Sequence, residues 1–311
     1  MAFCFKRKES VSKGIRRLIR ERVEDATECL KDCAHGEQVH CARKDIKKVR
    51  AVLRLVRTEI ERKTFKLLAR PLKRAAERLA GPRDAFVRVK TIRSLVSHFK
   101  GQLSRGALRH IRMELGHSLR SEIAQFAKEK TVNCVQRELH QVMKATARIG
   151  IKAKGWKVLG VGLKSSYDKG KSAYQLVLKD SCPGNLHEWR KSVKDLWYQV
   201  TLLRRVWPEQ INAITAELDL LGEFLGDYHD LVMLRQAVQQ TCIGKEHSSE
   251  TETLNGLIAE RHRELRAAAL ALGGRFYTEK PAAFCSRLAT YWKTWRKEEK
   301  AITRLAESVR T

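Results

Sequence analysis

Proline is scarce, with five residues in a chain of 311. So few helix breakers, in a sequence rich in Ala, Leu, Glu, Lys and Arg, favour helix throughout. No stretch alternates apolar and polar residues well enough to predict a strand. Aromatic residues are also few, at 7%. That argues against the stacking platforms on which single-stranded nucleic-acid binders rely. Acidic residues are in short supply: 35 Asp and Glu against 63 Lys and Arg leave a net charge of +28. Such an excess predicts a polyanionic partner, whether nucleic acid, an anionic membrane surface or a phosphate polymer. Of the eight cysteines, Cys4, Cys134, Cys182, Cys242 and Cys285 have no close cysteine neighbour in the sequence. This is not the spacing of a disulfide scaffold, and a reducing, cytoplasmic setting is expected. No run approaches the ~18–20 apolar residues of a membrane span, and the opening MAFCFKRKES holds no apolar stretch of signal-peptide length. No membrane partner is therefore expected. No GxxxxGK[ST] loop is present, so a P-loop ATPase is unsupported. No Ser/His/Asp or Cys/His arrangement has supporting local spacing.

What is present is helical periodicity. Apolar residues recur at steps of three and four in 15–30, 46–60, 119–143, 193–203 and 214–234. Breaks are predicted at KGQLSRG (100–106), ARIGIKAKGWK (147–157), DSCPGN (180–185) and CIGKEHSSETET (242–253). The hydrophobic share of 43% suffices for a core, and the length suits one large domain or two small ones.

The sequence also repeats itself. QVHCARKDIKKVRAVL (38–53) and NLHEWRKSVKDLWYQV (185–200) each open with a His followed by basic residues at the same steps. His40 matches His187, Gly14-Ile15 matches Gly162-Leu163, and Arg83-Asp84 matches His229-Asp230, at offsets of 146 to 148. A duplicated helical unit accounts for this. We expect an all-α fold of two repeated, four-helix-bundle-like halves, 10–150 and 158–300, related by a pseudo-two-fold axis around a basic groove or pore. The whole chain, 1–311, is taken as a single domain.

On a helix, His40, Arg43, Lys47, Arg50, Arg54 and Arg57 follow steps of 3, 4, 3, 4 and 3. They fall in a sector of roughly 100°, beside an apolar stripe of Ile46, Val49, Leu53, Val56 and Ile60. The cationic band, with Lys48 beside it, runs for about 25 Å. Like charges at i,i+3 and i,i+4 cost a few tenths of a kcal/mol per pair, which an arriving anion would relieve. The alternative is that carboxylates from neighbouring helices neutralise the band. The second copy places His187, Arg190, Lys194 and Arg204 at the same steps, with Lys191 and Arg205 at the edge, while Trp197 and Thr201 replace two basic residues. Trp197 would wall a groove or pack between helices. A His among cations has its proton affinity lowered. An anion reverses this, so binding should tighten as pH falls toward ~6. A His that merely caps or packs at a helix start is the bland alternative.

Asp84 and Asp230 each follow a Gly-containing turn and precede an apolar run, which predicts helix N-caps. The alternatives are a carboxylate that orients the basic stripe, or a Mg²⁺ ligand at a phosphoryl-transfer site. One acid per half is thin support for the latter, so no catalytic residue is assigned. Cys29, Cys33, His35, His40 and Cys41 form a metal-like cluster, but their spacing matches no common zinc signature, so no metal or cofactor is assigned. Trp292 and Trp295 in YWKTWRK are expected to pack a C-terminal helix rather than to form a membrane belt.

At VHCARKDIKKVRAVLRL, LHEWRKSVKDLWYQ, GLKSSYDKGKSA and the turns LAGPRDAFV and LGDYHDLVM, the sequence resembles the CHAD family, the conserved histidine α-helical domain. GGRFYTEKPAAFCSRLATYWKTW resembles the family's C-terminal part, and the resemblance runs from about residue 5 to 298. It implies two helical halves around a basic central groove, binding of inorganic polyphosphate and association with polyphosphate granules. By motif position it implies that His40, Arg43, Lys47, Arg50, His187, Arg190, Lys191 and Lys194 line the groove. Lys164, Tyr167 and Lys171 match the family's basic helix before the second His, and Arg16 and Arg20 lie in the equivalent first-half helix. The sequence departs from the pattern at Trp197, where a basic residue is common, and at Phe86 and Val232, beside the Asp turns. The rival readings are a nucleic-acid binder, with nonspecific binding through its charge, and a metal-dependent enzyme acting on phosphate polymers.

Overall fold

The computed structural model describes residues 3–31, 36–103, 106, 108–128, 131–241 and 249–308. Every regular element among them is a helix: α1 Val11–Cys29, α2 Gly36–Leu55, α3 Arg62–Arg78, α4 Ala80–His98, α5 Arg109–Lys128, α6 Thr131–Thr146, α7 Trp156–Lys179, α8 Pro183–Thr201, α9 Pro208–Thr241, α10 Ser249–Phe276 and α11 Pro281–Ser308. Residues 147–155 separate α6 from α7, where a break was expected. The expected helix over 119–143 falls on α5 and α6, and residues 129–130 lie outside the described residues. The expected helix over 46–60 ends at Leu55 in a series of turns. DSCPGN is shorter as a break than expected, because Pro183 already opens α8 at a first-turn position that needs no N–H. Most of the 242–253 break, with Cys242, and part of 100–106 lie outside the described residues.

Local chemistry accounts for the helix ends. Ser10 caps α1, its hydroxyl accepting from the Lys13 N–H at 3.2 Å. Val11, Ile15, Leu18, Ile19, Val23 and Ala26 then bury one face of α1, following the three-four period. Between α3 and α4 the chain bends at Leu79, just before Gly81-Pro82. Pro82 has no N–H to give the carbonyl of Arg78 and Gly81 precedes it, which favours a break there, although α3 runs through Pro71 in its interior. After the bend α3 packs on α6, whereas α4 packs on α5 and α9. No proline interrupts α9, which runs 34 residues.

α2 packs against α7 and α8. The buried Gln199 of α8 donates to the Ala51 carbonyl of α2 at 3.3 Å, and Arg54 pairs with Asp195. Gly162 of α7 meets the end of α2 so closely that a Cβ there would lie 1.9 Å from the Leu55 carbonyl oxygen. Only glycine fits that approach. Further along α7, Tyr167 stacks on Phe284 with ring centroids 4.3 Å apart. Trp292 and Trp295 are buried on α11, the packing expected of them. Among the described residues no helix is long and apolar enough to cross a membrane.

Candidate functional site

A cavity of about 830 Å³ lies between α2, α4, α8 and α9, with α10 at its margin. His40, Arg43, Lys44 and Lys47 enter from α2, Arg83 and Lys90 from α4, Arg190 and Lys194 from α8, and Arg261 from α10. The helical step selects them. Residues 40, 43, 44 and 47 share one face of α2, while Ile46 and Val49 on its other side are buried.

α9 supplies the opposite wall. Asp219, Glu223, Asp227 and Asp230 recur along it at steps of 4, 4 and 3 and face the cavity. Gly222 and Gly226 sit between them. A Cβ at Gly222 would lie 2.7 Å from Lys194 Cε, and one at Gly226 would lie 3.5 Å from Arg190 Nε. This pair of small residues, one turn apart, makes a trough in which the two α8 cations lie along α9.

The carboxylates hold some cations and leave others unpaired. Lys194 meets Asp219 at 3.1 Å and covers the face of Trp197, 4.4 Å from the ring centroid. Arg83, 12% exposed at its side chain, meets Asp84 at 2.8 Å and Asp230 at 3.8 Å. Among the described residues Arg43, Lys47 and Arg190 have no carboxylate within ion-pair distance. Arg43 instead donates to the Ala76 carbonyl in the last turn of α3, at the negative end of that helix.

The same groups are pressed toward their neutral forms. Burial first, then Arg83, Arg190 and Arg43, push the Lys47 ammonium down to about 7. Burial, followed by Arg83, lowers Arg43 and His40 from their ordinary values. Arg190 is also lowered, chiefly by burial. Burial and the neighbouring His187, Arg190 and Arg83 push His229 down to about 4. Asp230 moves up because burial outweighs the pull of Arg83, Arg190 and Lys47. Cations here are partly withdrawn from solvent and short of counter-charge, the condition an anion would correct.

The predicted residues divide by place. His40, Arg43, Lys47, Arg190 and Lys194 line the cavity. The others lie outside its lining. Arg54 is turned to Asp195, Lys48 to Asp45 at 2.7 Å, and Lys191 to Glu188 at 2.7 Å. At Arg54 and Lys194 carboxylates from neighbouring helices do neutralise the band, whereas Lys48 and Lys191 pair within their own helices. Arg57 lies over the Phe65 ring at 4.3 Å, and Arg50 is half-buried one turn beyond the cavity. His187 packs against His229 with ring centroids 4.3 Å apart. Arg16 donates to the Ile149 carbonyl at 3.3 Å. Tyr167 is buried in the core, donating to the carbonyls of Phe276 and Glu279, and Lys171 donates to the latter at 2.9 Å. Arg20, Lys164, Arg204 and Arg205 are exposed elsewhere on the surface.

Two expectations are corrected. Asp84 and Asp230 are not N-caps: each lies inside its helix, and Leu79 is the residue before α4. Their carboxylates serve Arg83 instead, which is the orienting alternative. The metal-like cluster is also rearranged. His40 faces the cavity, Cys29 and Cys41 adjoin Asp45, and Cys33 and His35 lie outside the described residues.

Sequence reasoning missed Arg83, Lys90 and Arg261 as site residues, along with the α9 carboxylates. Arg83 had a signal, since it is the position matched to His229. The acidic stripe was also legible at 219, 223, 227 and 230, but its direction was not.

A family model of the CHAD domain matches residues 17–239. The chain belongs to the CHAD family. Solved structures agree on the fold. The chain is similar to the CHAD domain from the plant Ricinus communis, with a TM-score of 0.64 and 12% identity over 88% of this chain and 95% of that one. It is also similar to PptA from Streptomyces chartreusis, with a TM-score of 0.65 and 13% identity over 87% of this chain and all of that one. No curated protein sequence matches. The all-α expectation thus holds, and the family match begins later and ends earlier than the expected 5–298.

Proposed function

We propose that this CHAD chain binds inorganic polyphosphate in the cavity between α2, α4, α8 and α9, and performs no chemistry on it. The observation that carries the reading is the convergence of unpaired, charge-suppressed Arg43, Lys47 and Arg190 in one cavity. Polyphosphate carries about one negative charge per phosphate and has no bases to stack. Arg offers it forked contacts and Lys point charges. Of the cavity's aromatic side chains Phe86, Trp197 and Tyr198, Lys194 covers Trp197 and Tyr198 is buried, which leaves the partly buried Phe86 alone and no run of rings for successive bases. The α9 carboxylates hold Lys194 and Arg83 in reach while the cavity is empty, and phosphate oxygens replace them on binding. Nucleic acid binds more weakly through the general positive field. The setting that fits this reading is the cytoplasm, at polyphosphate granules.

The test is binding of long-chain polyphosphate against duplex DNA, single-stranded RNA and ATP at ~150 mM salt, repeated at higher salt because the interaction is electrostatic. Polyphosphate binding should survive excess DNA and be lost in Arg43→Glu and Arg190→Glu at unchanged helicity. Equal displacement by every polyanion, or unchanged affinity in both variants, would sink the reading. Release of orthophosphate with Mg²⁺, lost in Asp230→Asn, would replace it with an enzymatic one.

A further inference from the structure

A second cluster of reactive groups lies away from the cavity. Cys29 ends α1, Cys41 lies in the second turn of α2, and their sulfurs are 2.8 Å apart. Two sulfurs so close are within reach of a bond, whereas two thiolates on one tetrahedral metal stand roughly 3.8 Å apart. Among the described residues none of Cys4, Cys134, Cys182 or Cys285 has another cysteine in reach. Asp45 adjoins the pair and completes a possible three-ligand set. That carboxylate is already committed, however. It is 4% exposed and meets Lys48 at 2.7 Å and Arg22 at 3.4 Å. Two cations beside the third ligand oppose a divalent metal and leave the sulfurs as a dithiol.

We propose that Cys29 and Cys41 form a reversible dithiol–disulfide pair that clasps α1 to α2. The oxidant is a low-molecular-weight disulfide of the glutathione class. Cys41 is exposed, whereas Cys29 is partly covered. Burial, then contact with Cys41, hold the Cys29 thiol protonated up to about 12. Cys41 therefore attacks first, as its thiolate. Its sulfur bonds to one sulfur of the small disulfide and expels the other as a thiolate. Cys29 then gives up its proton and attacks the Cys41 sulfur, expelling the second small thiolate. Two protein thiols lose two protons and two electrons, and one small disulfide takes them up as two thiols. The clasp closes the chain between residues 29 and 41 and restrains the start of α2, whose other face carries His40, Arg43 and Lys47 into the cavity.

The test does not depend on polyphosphate. The full chain is equilibrated in mixtures of reduced and oxidised glutathione, quenched by alkylation and mapped by peptide mass spectrometry. A Cys29–Cys41 cross-link should appear, reverse with dithiothreitol and raise the thermal midpoint of the wild-type chain by several degrees. Cys29→Ser should stop at a glutathione adduct on Cys41, and Cys33→Ser should cross-link like the wild type. A persistent adduct on Cys41 of the wild type, or a link from Cys41 to Cys33 instead, would overturn the proposal. So would stoichiometric zinc in the purified chain that Cys29→Ser removes.

Discussion

Helices α2 and α8 begin from matching stretches, with His40 and Arg43 on one and His187 and Arg190 on the other, yet they present different surfaces. α2 sends His40, Arg43, Lys44 and Lys47 into the cavity, whereas α8 sends Arg190, Lys194, Trp197 and Tyr198. Their surroundings differ as well. Opposite α2, the bend at Leu79 turns α4 inward with Arg83 and Lys90. Beside α8, the unbroken α9 brings a file of carboxylates. Even the paired histidines diverge, since His40 feels Arg83 while His187 rests on His229. Matching motifs therefore do not make matching electrostatics. The partner helix sets the field: on one side the chain breaks at Leu79, and on the other α9 continues.

The sharpest way to break the comparison is at the matched glycines. At Gly162 a Cβ would strike the Leu55 backbone, whereas at Gly14 it would meet the Phe5 ring at 2.7 Å. Gly162→Ala should cost about 3 kcal/mol or more, or prevent folding, because a backbone carbonyl in a packed helix contact cannot give way. Gly14→Ala should cost about 1–2 kcal/mol, since a side chain can move. Urea unfolding of both variants checks the order.

The next largest effect is on ligand affinity. Arg43→Glu and Arg190→Glu should each weaken polyphosphate binding by at least about 30-fold, as reversal of a desolvated charge does elsewhere. Titration calorimetry would show whether α2 and α8 weigh equally; an effect at Arg43 alone would mean that α8 is only a wall.

A pH series probes the same walls. The Lys47 ammonium is held at about 7 in the folded chain, against about 10.4 when unfolded. Between these values the unfolded state binds more protons, so stability of the empty protein rises with pH across that window. Lys47→Met should flatten this rise and stabilise the empty protein below pH 7. Bound phosphate favours the charged Lys47, so wild-type affinity should fall several-fold from pH 7 to 9, and the variant should lose that slope. The His229 shift to about 4 has the same sign. Stability from this group falls as pH drops from about 6.5 toward 4.

The smallest effect belongs to the acidic wall. The Lys194–Asp219 pair is partly exposed, and such pairs contribute about 0–1 kcal/mol. Asp219→Asn should raise polyphosphate affinity by up to about five-fold by removing a competitor. A drop in affinity would mean instead that Asp219 positions Lys194.

The sequence by itself determined what depends on near neighbours. Helices, their apolar faces, the spacing of cations along α2 and α8, and the family motifs are all set by residues within a turn or two, through the 100° step of the helix. Trp292 and Trp295 packed as their helical spacing implied. Only the tertiary structure decided which cations share a cavity. Arg54 and Arg57 belong to the same stripe as Arg43 and Lys47, but α2 runs past the cavity into its contact with α8, where Asp195 takes Arg54. Asp230 looked like a cap because a local turn signal preceded it, but α9 continues through that turn and delivers the carboxylate to Arg83 across the cavity. The direction in which a charge points is set by contacts between segments far apart in the chain, and no local pattern carries that information.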